Sequence, residues 1–179
     1  MSALLKFAHA MDWISQRLGH IASWTVLLAA MISAGNAFIR YGLDISSNAW
    51  LEIQWYMFAV TVMLGAPLVL KLNEHVRVDL FYGSASARRK LWIDVIGIIF
   101  FLFPSTIMIG AMAWPFFLSS FQSGEMSSNA GGLPVWPVKF LLPFGMALVF
   151  LQGLAELIKR IAALRGEYAV AVEYERPLQ

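Results

Sequence analysis

Residues 95–124, VIGIIFFLFPSTIMIGAMAWPFFLSSFQSG, run for thirty positions without a single Lys, Arg, Asp or Glu. A helix needs about 20 mostly apolar residues to cross about 30 Å of hydrocarbon, so this stretch is long enough to span a membrane. Three other regions repeat the pattern. One lies inside the uncharged run from Leu18 to Ile39, one sits between Glu52 and Lys71, and one precedes Lys159 with Glu156 near its end. The expected spans are residues 21–39, 53–70, 93–118 and 140–158, within a four-helix domain over 19–160.

Composition agrees. Of 179 residues, 59% are hydrophobic and 13% charged, against about half and about a quarter in soluble domains. A soluble chain of this size has too little interior to hide that much apolar surface. These values exclude a typical cytosolic enzyme, a disordered chain and a disulfide-stapled secreted module. The fold class is an all-α membrane protein, with no room for a separate soluble domain. The absence of cysteine removes disulfides, thiol nucleophiles, zinc–thiolate sites and iron–sulfur clusters. The net charge of +2 reports orientation in such a protein, not nucleic-acid binding.

Orientation follows from the basic residues. With a cytoplasmic N-terminus, that side receives Lys6, Arg17, Lys71, Arg77, Arg88, Arg89, Lys90, Lys159, Arg160, Arg165 and Arg176, and the other side only Arg40 and Lys139. This asymmetry predicts that both termini are cytoplasmic, including the tail over 161–179. Within 1–18, Leu4, Phe7, Ala8, Met11, Ile14 and Leu18 recur at helical spacing between Lys6, His9, Asp12, Ser15 and Gln16. That pattern predicts a retained amphipathic interfacial helix ahead of the first span, not a signal peptide. Trp50, Trp55, Trp92, Trp114 and Trp136 fall near span ends, where amphipathic rings favour the headgroup zone.

Candidate chemistry is thin. Proton relays and ion sites place ionisable groups deep in the membrane, yet no predicted span carries one near its middle. Haem ligation in a membrane cytochrome needs facing imidazoles inside spans, whereas His9, His20 and His75 lie in the amphipathic segment, at a membrane edge and in a loop. Gly65–Pro67, Gly110 with Pro104 and Pro115, and Pro143–Gly145 interrupt three spans; simple kinks explain them without a transport site. Ala30, Ala34, Gly35 and Ala37 permit close approach of another helix. Arg40 and Glu52 bracket the first outer loop at similar depth. A salt bridge and two separately solvated charges are both open readings. The run from Asn73 to Tyr82, NEHVRVDLFY, alternates apolar and charged residues and reads either as a solvated turn or as a docking loop.

Taken in order, Arg40-Tyr41, Glu52, Gly65, His75-Val76-Arg77-Val78-Asp79, then Glu125, Gly131-Gly132-Leu133-Pro134, Trp136 and Leu151-Gln152-Gly153 resemble the DctQ-like small membrane subunits of TRAP transporters over roughly residues 20–160. The resemblance implies a tripartite secondary uptake system in the inner membrane of Gram-negative bacteria. Its partners would be a large membrane permease subunit, a periplasmic solute-binding protein and membrane lipid, with no nucleic acid. The large subunit would carry the transport site and couple uptake of an organic acid anion to sodium. On this reading the chain is a non-enzymatic scaffold without cofactor, catalytic residue or metal. Arg40, Glu52, Trp55, His75, Arg77 and Asp79 become subunit-interface candidates. Glu125, Gly131, Gly132, Leu133, Pro134 and Trp136 become candidates for docking the binding protein. Two other classes compete: a self-sufficient homo-oligomeric transporter or channel, and the membrane anchor of a redox enzyme.

Overall fold

The computed structural model describes residues 2–45, 47–74, 82 and 85–169. Among the described residues, four helices are long and apolar enough to cross a membrane: α1 Ser2–Leu43, α2 Asn48–Leu72, α3 Ala87–Ser123 and α4 Trp136–Leu164. Each contains the span expected from the sequence and extends beyond it. Successive helices run antiparallel. One end of the bundle gathers the start of α1, the end of α2, the start of α3 and the end of α4, and it holds most of the basic residues. The opposite end carries the end of α1, the start of α2 and the 124–135 loop.

The helices persist through Pro67 in α2, Pro104 and Pro115 in α3 and Pro143 in α4. Only α3 changes pitch. Ile98–Leu102 form a π-helical turn, with the Phe103 amide donating to the Ile98 carbonyl. The cause sits beside it at Pro104, which has no N–H for the Phe100 carbonyl and whose ring crowds that oxygen. The three interruptions seen in the sequence therefore lie within continuous helices, one of them beside a π-helical turn.

α4 is the axis of the fold. It packs against α1, α2 and α3, and its buried positions recur along its length, from Pro143 to Ala162. Midway, Ala22 of α1, Leu64 of α2 and Leu148 of α4 form one apolar layer. Thr25 and Thr61 share a hydrogen bond of 2.8 Å nearby. Gly145 lets α2 and α4 approach closely, since a Cβ there would lie 2.8 Å from Met63 Cβ and 3.2 Å from its carbonyl oxygen. The Gly145→Val variant should lose about 1–3 kcal/mol of stability from this overpacking, read as a lower thermal midpoint of the purified chain. An unchanged midpoint would mean that the contact is not tight.

The first helix departs from the expected division into an interfacial helix and a span. Residues 2–43 form one helix of 42 residues, about 63 Å long at 1.5 Å per residue. The amphipathic pattern is present, but its apolar side meets protein: Ala8 and Met11 are buried against Ala155 and Ile158 of α4. A stripe of apolar residues specifies a buried face without specifying whether lipid or a neighbouring helix buries it. Here α4 extends far enough past the hydrocarbon to supply the neighbour.

Candidate functional site

Two polar clusters stand at opposite ends of the bundle. At the loop end, Glu52 in the first turns of α2 is only 3% exposed. Its Oε2 accepts a hydrogen bond from the Leu133 amide at 2.7 Å, and its Oε1 accepts from Asn129 Nδ2 at 2.7 Å and from the Ser127 hydroxyl. The Tyr56 hydroxyl, one turn further along α2, donates to the Pro134 carbonyl at 2.7 Å. Asn48 Nδ2 donates to the Ala130 carbonyl at 3.0 Å. Three side chains of one helix end thus hold the 124–135 loop by its backbone.

The loop is itself ordered. The Ser127 amide donates to the Leu133 carbonyl and the Val135 amide to the Glu125 carbonyl, each at 2.9 Å. Gly131 takes a left-handed φ of 69° at the tip. Gly132 passes so close to α2 that a Cβ would lie 2.6 Å from Ser127 Cβ and 2.9 Å from Glu52 Oε1. Lys139 Nζ pairs with Glu125 Oε2 at the base of the loop. The Lys139 hydrogen bond holds the Glu125 carboxyl below the usual carboxylate range. Trp136 packs edge-on against Phe121, ring centroids 5.3 Å apart, and so joins the start of α4 to the end of α3.

Of the residues singled out in the sequence, the structure sets Leu133 and Gly132 against Glu52, ties Pro134 to Tyr56, puts Gly131 at the loop tip, and places Glu125 and Trp136 at the two ends of the loop. It does not bring Arg40 to Glu52. The Glu52 oxygens are taken by the loop, and among the described residues no ion pair joins Arg40 to any carboxylate. Backbone N–H groups and short polar side chains reach a carboxylate at the helix end with less ordering of long side chains than an arginine would require. Trp55 is 68% exposed on α2. His75, Arg77 and Asp79 lie outside the described residues.

At the basic end, α4 buries Gln152, Glu156, Lys159 and Arg160. Lys159 Nζ reaches both carboxylate oxygens of Asp12, at 2.9 and 3.0 Å, and also pairs with Glu156. Gln152 donates to Asp12 Oδ1 at 2.9 Å and to Glu156 Oε1 at 3.1 Å, and accepts from the Ser15 hydroxyl at 2.7 Å. Arg160 bridges Glu156 and Asp94 of α3, its Nε 2.9 Å from Asp94 Oδ2. Tyr82 also donates to Asp94, at 3.3 Å. This network ties α1, α3 and α4 together. The sequence reading located Glu156 near a span end without joining it to a partner. The available signal was Gln152, Glu156 and Lys159 at helical spacing, one face of α4 opposite Asp12.

Each carboxylate named above is matched by the chain's own donors, and both clusters sit at helix ends. Among the described residues no group of three or more His, Cys, Asp or Glu is arranged to hold a metal ion. Fold and polar groups together define a multi-pass membrane component whose charges brace its helices. A family model described as Tripartite ATP-independent periplasmic transporters, DctQ component, matches residues 29–163. The chain belongs to this family. No curated protein and no solved structure matches it. The family match includes Glu52, the 124–135 loop and the Gln152–Arg160 face, and begins after Asp12.

Proposed function

We propose that this chain is the small, non-catalytic permease subunit of a TRAP transporter. It scaffolds a large permease subunit and helps dock a periplasmic solute-binding protein for sodium-coupled uptake of an organic acid anion. The observation that carries this reading is the placement of charge. The helices keep Lys, Arg, Asp and Glu near their ends, several of them paired with one another, and none lies in the middle layer, where Ala22, Leu64 and Leu148 pack. Coupled movement of an anion with a cation places ionisable groups deep in the membrane, and those belong to the companion chain.

The proposed membrane is the bacterial inner membrane, with both termini cytoplasmic, as the distribution of Lys and Arg favours. The loop held by Glu52 then faces the periplasm, where the binding protein would arrive. Vesicles containing this chain, the large subunit and the binding protein should accumulate the anion when an inward sodium gradient is imposed. Vesicles containing this chain alone should not. Accumulation by the chain alone would overturn the proposal in favour of a self-sufficient transporter.

A further inference from the structure

The second half of α1 is unlike every other helical segment of the bundle. Buried residues of α1 are Ala8, Met11, Ser15, Gly19 and Ala22, and then none up to Leu43. By contrast, α2 has buried positions at both ends, and the stretch of α3 from Phe103 to Ser123 buries residues along its length. Exposure of apolar side chains carries no information in a membrane, where lipid is their natural neighbour. Polar side chains do carry it. Ser33 and Asn36 lie about 5 and 9 Å along the axis from the centre of the apolar stretch 21–39, inside the hydrocarbon. Neither side chain has a hydrogen-bond partner among the described residues, and Arg40, one turn beyond Asn36, has no partner there either. The other polar side chains of this stretch do have partners: Ser23 donates to the Gly19 carbonyl, and Thr25 pairs with Thr61.

A carboxamide facing hydrocarbon loses its hydrogen bonds to water and gains none in return. Serine and asparagine in spans find partners across helix–helix contacts, where small neighbours allow close approach. Ala30, Ser33, Ala37 and Arg40 are all exposed and follow one face of α1, with Asn36 at its border. Two concavities open on the same half of the helix. One, of about 280 Å³, lies between α1 and α2 with Asn36 and Trp50 in its wall. The other, of about 410 Å³, is lined by Ala37, Phe38, Tyr41 and Gly42.

We infer that the Ala30–Arg40 face of α1 is where a transmembrane helix of the large permease subunit packs. The partner helix offers small residues along the contact, a hydrogen-bonding side chain at the depth of Ser33 and Asn36, and a carboxylate at the depth of Arg40. The Asn36 carboxamide decides for protein over lipid tails, because an acyl chain offers it no hydrogen bond. The inference rests on the proposed role as small subunit and adds to it the contact face and the chemistry of its partner.

The test is recovery of the large subunit when the tagged full chain is purified from membranes that contain both. Ala37→Trp blocks the face, Asn36→Leu removes its amide, and Ala111→Trp places the same bulk in the separate apolar groove between α3 and α4. Ala37→Trp should reduce recovery by roughly tenfold and Asn36→Leu several-fold, with Ala111→Trp unchanged, as expected where close packing and polar contacts drive association. Because position 37 is exposed in the isolated chain, Ala37→Trp should also leave the thermal midpoint of that chain unchanged. Wild-type recovery by Ala37→Trp, loss confined to Ala111→Trp, or capture of a second copy of this chain through α1 would overturn the inference. Failure of the wild-type chain to recover any large subunit would instead overturn the small-subunit reading beneath it.

Discussion

Lys159→Met is expected to destabilise the isolated chain more than any other single substitution considered, by on the order of 3–5 kcal/mol. Lys159 is the cation between Asp12 of α1 and Glu156 of α4. Its removal leaves the Asp12 carboxylate without its cation, facing Glu156, which Arg160 still pairs, in a region where Gln152, Glu156 and Arg160 of α4 are buried. Methionine fills the volume, so the loss comes from uncompensated charge and not from a cavity. The same reasoning gives the rescue: Asp12→Asn combined with Lys159→Met removes the stranded charge and should be more stable than Lys159→Met alone. Such neighbours couple, and the double-mutant cycle should show a favourable interaction term of about 1 kcal/mol or more. Thermal unfolding of the purified variants measures all three. A Lys159→Met midpoint equal to wild type would mean that the network does not hold α1 to α4.

The network also explains what was legible in the sequence. Four spans were readable because membrane insertion imposes a simple rule of length and apolarity, and residues 95–124 satisfy it without interruption. The extra turns at each end were not readable, because beyond the hydrocarbon the helices continue on contacts between chain segments far apart in sequence. Asp12 and Lys159 are the clearest case: each looks like an ordinary interfacial charge until the other is placed beside it. Glu52 carries the same lesson with another outcome. Its depth matched Arg40, and opposite charge made that pairing reasonable, but three donors on a loop some eighty residues away take its oxygens. The glycines and proline of that loop signalled a turn without indicating that α2 would fix its shape. Pattern reports which face is buried; it does not report what buries it.

Glu52→Ala should free the 124–135 loop while leaving the bundle assembled. The Leu133 amide, which now donates to Glu52 Oε2, should exchange with deuterium about tenfold faster or more, as expected when a charge-assisted hydrogen bond is lost. Amides in the middle of α4 should keep their protection, because the Ala22–Leu64–Leu148 layer is untouched. Glu52→Gln separates charge from shape: its carbonyl oxygen still accepts, but its amide group cannot accept from Leu133 and from Asn129 and Ser127 together, so exchange should fall between wild type and Glu52→Ala. Gly132→Ala should match Glu52→Ala by a different route, since its Cβ would push Ser127 and the Glu52 carboxylate away from the loop. In the assembled transporter the proposed docking role predicts a further separation. Both variants should recover the large subunit as well as wild type yet show uptake reduced by about tenfold when the binding protein is limiting, because a mobile loop must be ordered on each encounter. Saturating binding protein should restore most of that loss if the loop serves docking alone. Unchanged Leu133 exchange in Glu52→Ala would remove the latch. Unchanged uptake with clearly faster exchange would keep the latch as a structural device and separate it from docking.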